Sequence, residues 1–123
     1  MLSNFVSKLR NSQIAKHITV VVENKKFYIE ILNILWEHGF IKGYTKINDK
    51  NLLVYLLYEE GTPLIKRFQT ISKSTNRVFV SCLEISAILS NNGLFIISTP
   101  YGLIEGSQAV HKNIGGEILI YLE

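Results

Sequence analysis

The chain has 123 residues, of which 47% are hydrophobic and 19% charged, and it carries a formal net charge of +3. That balance belongs to a folded globular chain and excludes a disordered one. The single cysteine, Cys82, excludes an internal disulfide framework and fits a reducing compartment.

The mild positive charge favours an anionic partner, but it is unevenly spread. Residues 1–50 hold eight Lys/Arg against four Asp/Glu, whereas residues 51–123 hold five against six. No apolar run approaches the roughly eighteen residues of a membrane span, so no membrane association is expected.

In "MLSNFVSKLRNSQIA", Phe5, Val6 and Leu9 recur at helical spacing with Lys8, Arg10 and Asn11 on the opposite face. This predicts a short amphipathic helix with Ser3 as its N-cap. Its apolar part is too short for a signal peptide, so the protein is expected to be soluble and made where it works. "HITVVVE" is β-branched and ends at the polar turn Glu23-Asn24-Lys25-Lys26, which predicts a strand. "KFYIEILNILWEHGF" predicts a helix with Phe27, Ile31, Ile34, Leu35 and His38 in one stripe and Gly39 as its stop. "FIKGYTKI" and "NLLVYLLY" flank Asn48-Asp49-Lys50 as a hairpin.

"EEGTP", residues 59–63, interrupts both periodicities and is the one candidate linker. After it, "LIKRFQTIS" and "RVFVS" predict strands joined by the turn "KSTN". "CLEISAIL" reads as a short helix and "GLFIIST" as a buried strand. "EGSQAVHKN" reads as a loop or a single helical turn, and "EILIYLE" as a terminal strand. The expected fold is α+β: an N-terminal helix–strand–helix–strand–strand domain over residues 1–60 and a mostly β domain over residues 64–123.

Little in the chain suggests catalysis. His17, His38 and His111 do not sit at metal-ligand spacing, and His38 lies at a helix end suited to capping. A Cys82–His111 nucleophile pair is set against an apolar context around Cys82 typical of a buried thiol. Glu105 and Glu117 form a conceivable carboxylate pair, against the plainer reading of surface or turn carboxylates. The glycines of "NNGLF" and "NIGGE" precede strands, the wrong context for a phosphate loop. No enzyme activity, cofactor, metal or small-molecule substrate is expected.

What remains is the segment "IISTPYGLIEGSQAVHKNIGGEILIYLE". Ser98 and Thr99 set two hydroxyls at a strand end, and Gly102, Gly115 and Gly116 allow positive φ or close backbone approach. Together these make a small hydrogen-bonding surface suited to the shallow minor groove of A-form RNA. The alternative is a set of ordinary turn residues. For Gly116 the two readings are close approach of an RNA backbone and a bulge or positive φ that orients the last strand.

These residues resemble the C-terminal signature of the bacterial-type small-subunit ribosomal protein eight family. That signature runs Ser-Thr-Ser-Lys-Gly, Thr-Asp-Arg-x-Ala, Gly-Gly-Glu and a closing strand with Tyr. Ser98, Thr99, Gly102, Ala109, Gly115, Gly116, Glu117 and Tyr121 match it in order and spacing. "FVSKLRNSQ" is similar to the family's opening helix, "NILWEHGFI" to its Asn-x-Leu-x-x-x-Gly-Phe-Ile segment, and "FQTISKSTNRVFV" to the stretch carrying Ser-x-x-x-x-Arg.

The resemblance implies two small α+β halves and a primary binder of the central domain of small-subunit rRNA, with neighbouring small-subunit proteins as further partners. It also implies an RNA surface built from Ser98, Thr99, Gly102, Gly115, Gly116 and Glu117, with Lys8, Arg10 and Asn11 on the first helix. The chain departs from the pattern where Pro100-Tyr101 replace Ser-Lys and Glu105-Gly106-Ser107 replace Thr-Asp-Arg. Lost charge shifts the expected contacts from phosphates towards hydroxyl and backbone groups. Tyr101 is either a stacking replacement for the lysine or a packed tyrosine. The alternative function is a protein-interaction module of an organellar ribosome with little RNA contact. The Ile/Asn/Lys-rich composition points to a mitochondrial ribosome, with a bacterial or plastid one as the alternative.

Overall fold

The computed structural model describes residues 2–73, 75–88 and 93–123, an α+β chain whose contacts divide it into two compact units, Met1–Lys66 and Arg67–Glu123. Parts of three predicted segments lie outside the described residues: Ser74 of the "KSTN" turn, Leu89 of "CLEISAIL", and Asn91-Asn92 of "NNGLF".

The first unit runs α1 (Leu2–Ile14), β1 (Thr19–Glu23), α2 (Lys26–Glu37), β2 (Ile41–Lys46), β3 (Asn51–Leu56), β4 (Tyr58–Glu59) and β5 (Thr62–Pro63). The main sheet is antiparallel in the order β1-β3-β2. Strand β3 alternates as predicted, burying Leu52, Val54 and Leu56. α1 buries Phe5, Val6 and Leu9, and the Phe5 ring stacks on Tyr28 of α2 at 4.4 Å and 14°.

Three expectations need correcting here. α1 already includes Leu2, so Ser3 lies inside its first turn and is not the N-cap. On α2, Phe27 and His38 are exposed in the terminal turns, and Tyr28 and Leu32 complete the buried stripe with Ile31, Ile34 and Leu35. "EEGTP" forms the β4–β5 ladder, with Tyr58 opposite Pro63 and Glu59 opposite Thr62. Glu60 and Gly61 both have positive φ, 52° and 79°, the combination of a type I′ turn.

The second unit runs β6 (Phe68–Thr70), β7 (Phe79–Val80), α3 (Cys82–Ile88), β8 (Leu94–Thr99), β9 (Gly102–Glu105), α4 (Gly106–His111) and β10 (Gly116–Leu122). Its sheet follows the order β6-β10-β8-β9, and β7 pairs with the start of β10. β10 is therefore the hub: Gly116 and Glu117 meet β7, Ile120–Leu122 meet β6, and β8 runs along the other side. Ile85 of α3, Ile97 of β8 and Ala109 of α4 form a buried cluster that seats both helices on the sheet.

The strands predicted from "LIKRFQTIS" and "RVFVS" shrink to three and two residues. β9 was hidden in the sequence because Gly102–Glu105 is too short to show a period. "EGSQAVHKN" contains a real helix, capped by the Glu105 carboxylate, which accepts from the Ser107 backbone N–H at 3.0 Å and from the Ser107 hydroxyl. Glu105 is thus no surface carboxylate; only 7% of it is exposed.

α1, α2 and α4 end alike. Lys16, Gly39 and Asn113 adopt φ of 59°, 76° and 58°, and the next residue in each case donates its N–H five residues back, His17 to Ser12, Phe40 to Leu35 and Ile114 to Ala109. This is the Schellman closure, which satisfies carbonyls that a helix end leaves open. No helix among the described residues is long and apolar enough to cross a membrane.

Candidate nucleic-acid interface

β8 ends on Ser98 and Thr99, and a two-residue turn, Pro100-Tyr101, leads into β9 with Thr99 opposite Gly102. Gly102 has φ +111°, a conformation that disfavours any side chain. The Thr99 hydroxyl donates to the Gly102 carbonyl at 2.8 Å and accepts from the Tyr101 N–H at 3.2 Å. Its proton is therefore committed to the turn, and one acceptor position remains. The Ser98 hydroxyl makes no hydrogen bond among the described residues. Tyr101 is 82% exposed at the turn's tip, so it is not a packed tyrosine.

β10 enters the sheet between β7 and β8, and this explains the double glycine. A Cβ on Gly115 would lie 2.6 Å from the Val80 carbonyl oxygen, and one on Gly116 would collide with the Ser98 carbonyl oxygen. Neither glycine has positive φ, so the requirement is space between neighbouring backbones. Of the two readings left open for Gly116, the sheet supplies an intramolecular cause, which is crowding by neighbouring backbone, while the register irregularity of β10 lies further on, between Ile118 and Ile120.

Paired residues in an antiparallel ladder share a face. Glu117 lies opposite both Phe79 on β7 and Ser98 on β8, so one row carries a ring, a carboxylate and a hydroxyl across three strands. Strand alternation sets this row on the face opposite Ile97, away from the helix cluster. Beside the glycines the row borders an open concavity of about 440 Å³ with no lysine or arginine in its lining. Glu117 is its one ionisable group and makes no ion pair among the described residues.

Such a surface is poorly suited to phosphates. It offers a carboxylate to accept from a ribose hydroxyl or a base amino group, a serine that donates and accepts, and an aromatic platform. Phe79 was missed in the sequence, where "RVFVS" reads only as a strand; it is 66% exposed. A signal was available in the alternation, since Val80 packs against the helix cluster and its neighbour must face away.

In the first unit, Lys8, Arg10 and Asn11 are all exposed on α1. Helical spacing stacks Lys8 with Asn11, and places Arg10 at the other border of the exposed arc. There Arg10 donates to the Ser7 hydroxyl at 3.4 Å.

The remaining candidates take structural positions. Cys82 is half-buried at the start of α3, less enclosed than its apolar context suggested, and its thiol points to the Val110 carbonyl at 3.8 Å. Tyr121 donates its hydroxyl to the Glu123 carboxylate, and that bond is the main reason its phenol titrates above the ordinary value.

A family model described as ribosomal protein S8 matches residues 1–122 of this chain. This chain belongs to the ribosomal protein S8 family. Family relatives named small ribosomal subunit protein uS8 include one from Chlamydia trachomatis serovar D, 38% identical over 122 residues that cover 96% of this chain and 92% of the relative. The uS8 of Oleidesulfovibrio alaskensis is 34% identical over 118 residues, covering 96% and 93%. That of Ruegeria pomeroyi is 32% identical over 122 residues, covering 96% and 94%. All three organisms are bacteria. In this S8-family chain, Glu105 performs the N-cap function at α4 that a threonine side chain can also serve.

Proposed function

We propose that this chain is a structural constituent of the small ribosomal subunit that binds the central domain of small-subunit rRNA, supports subunit assembly and catalyses no reaction. Family membership supports the ribosomal role. The observation that carries the RNA contact is the Phe79–Glu117–Ser98 row beside the Gly115-Gly116 strand entry. Its donors and acceptors match the 2′-hydroxyls and base edges of a wide, shallow RNA minor groove, and Phe79 and Tyr101 offer faces for unstacked bases. Thr99 and Gly102 hold the turn that presents Tyr101. Lys8, Arg10 and Asn11 supply backbone contacts, which position an RNA without reading its sequence. No cofactor or small-molecule substrate enters this reading. Neighbouring ribosomal proteins complete its partners. The bacterial relatives support a bacterial-type ribosome, and the mitochondrial placement rests on the Ile/Asn/Lys bias alone.

The test is binding of the full chain to a transcribed central-domain rRNA fragment. Phe79→Ala should weaken binding by about 1–3 kcal/mol and Ser98→Ala by about 1 kcal/mol, both with unchanged melting. Undiminished affinity in both folded variants overturns the site. Crosslinks from Tyr101 to protein in place of RNA, in assembled subunits, would favour the protein-interaction alternative.

A further inference from the structure

Trp36 is the single tryptophan of the chain, and it is 52% exposed in the last turn of α2. Two neighbours, Tyr44 and Gly43, the first of them braced by Asn33, flank this exposed indole. Its ring meets Tyr44 of β2 edge-on, with centroids 5.9 Å apart and planes at 75°. The Tyr44 hydroxyl donates to the Asn33 side-chain oxygen on α2 at 2.6 Å, which fixes the ring that supports the indole. Between them lies Gly43, with φ +150°, where a Cβ would stand 3.6 Å from the Trp36 ring. The indole thus rests on bare backbone, with an open side and a pinned one.

The surroundings narrow the occupant. β2 is an edge strand, so an extended protein segment is the obvious visitor. The strand is poorly built for one. It carries a bulge between Ile41 and Gly43, and Lys42 and Lys46 along its length, the devices that blunt a sheet edge against pairing. Those lysines favour a polyanion instead. Lys42 and Lys50 make no ion pair among the described residues, while Lys46 pairs with Asp49 at 3.2 Å. Glu37, exposed beside Trp36, is the one opposing charge next to it in sequence. A fixed aromatic face with cations strung along the adjacent strand matches single-stranded nucleic acid, whose bases stack and whose backbone follows the charge. A duplex would hide its base faces from the indole.

We infer that Trp36 and β2 form a second RNA contact, on which an unpaired nucleotide of small-subunit rRNA stacks while Lys42 and Lys46 border its phosphates. This rests on the reading of the chain as an rRNA binder, and on none of the residues of the β7–β10–β8 surface. Trp36 is its own reporter, since all indole emission comes from it. Deproteinised small-subunit rRNA titrated into the full chain should quench that emission and shield it from acrylamide. Trp36→Leu should bind about tenfold more weakly, Trp36→Phe should recover part of the loss, and both should melt like the parent.

Binding of rRNA with emission and acrylamide access unchanged overturns the second contact and leaves the proposed function intact. Shielding that arises only when neighbouring ribosomal proteins are added overturns it too, and makes the ledge a protein contact. Failure of the parent chain to bind rRNA at all removes both readings together.

Discussion

The two units offer different materials to the proposed RNA contacts. Residues 1–66 hold nine Lys/Arg against six Asp/Glu, whereas residues 67–123 hold four of each. The first unit therefore carries the chain's net charge, displayed on helix and strand surfaces. The second, balanced in charge as a whole, carries a shape: a concavity without lysine or arginine whose glycines, hydroxyl and carboxylate are fixed by strand register. Charge tolerates imprecise placement, because phosphate attraction acts over roughly a Debye length of 10 Å. Hydrogen-bond readout fails beyond a few tenths of an ångström. This explains why the rigid, densely paired β10 hub carries the second unit's proposed site, while the first unit's candidates stand on exposed side chains.

The sharpest way to break the comparison is at the hub. Gly116→Ala forces a Cβ onto the Ser98 carbonyl oxygen, a backbone atom that cannot swing aside. We expect a loss of about 2–3 kcal/mol, seen as a fall of roughly 10 °C or more in melting temperature, with RNA binding lost alongside. A variant that melts normally would show that the strand entry is looser than its geometry.

A milder probe loosens the same unit from behind the sheet. Glu105→Ala removes the α4 cap and should cost about 1 kcal/mol, read by urea denaturation. Glu105→Asp or Glu105→Thr should restore much of it, because either side chain can accept from the Ser107 N–H. No loss on Glu105→Ala would mean that α4 is held by Ala109 packing alone.

The smallest effect separates charge from shape. Binding to the rRNA fragment should weaken with salt along a log–log slope of roughly −3 to −4, set by few neutralised phosphates. Lys8→Ala should flatten that slope by about 1, whereas Phe79→Ala should lower affinity and leave the slope in place. Equal slopes for Lys8→Ala and the parent would remove α1 from the interface.

The sequence alone determined a good deal. The β-branched run at Thr19–Glu23, the alternation of Leu52, Val54 and Leu56, and the apolar face of α1 were visible because each spans at least two periods of its element. The Gly39 stop was visible because glycine is the common residue at that position. The equivalent Lys16 was not, since lysine does not announce a left-handed turn, and Asn113, a residue type that does adopt one, lay in a segment that read as a loop or a single helical turn. The motif residues Ser98, Thr99, Gly115, Gly116 and Glu117 were legible as a set through their resemblance to a family signature.

Only the tertiary structure decided what each of them does. It spent the Thr99 proton on its own turn, left the Ser98 hydroxyl available, and gave the double glycine a cause in the neighbouring backbones. It aligned Phe79 with Glu117 and Ser98 and fixed Trp36 over Gly43. The physical reason is range. Periodicity and capping are local properties of a few consecutive residues, while Phe79, Ser98 and Glu117 become neighbours only through a strand register spanning nearly forty positions of chain.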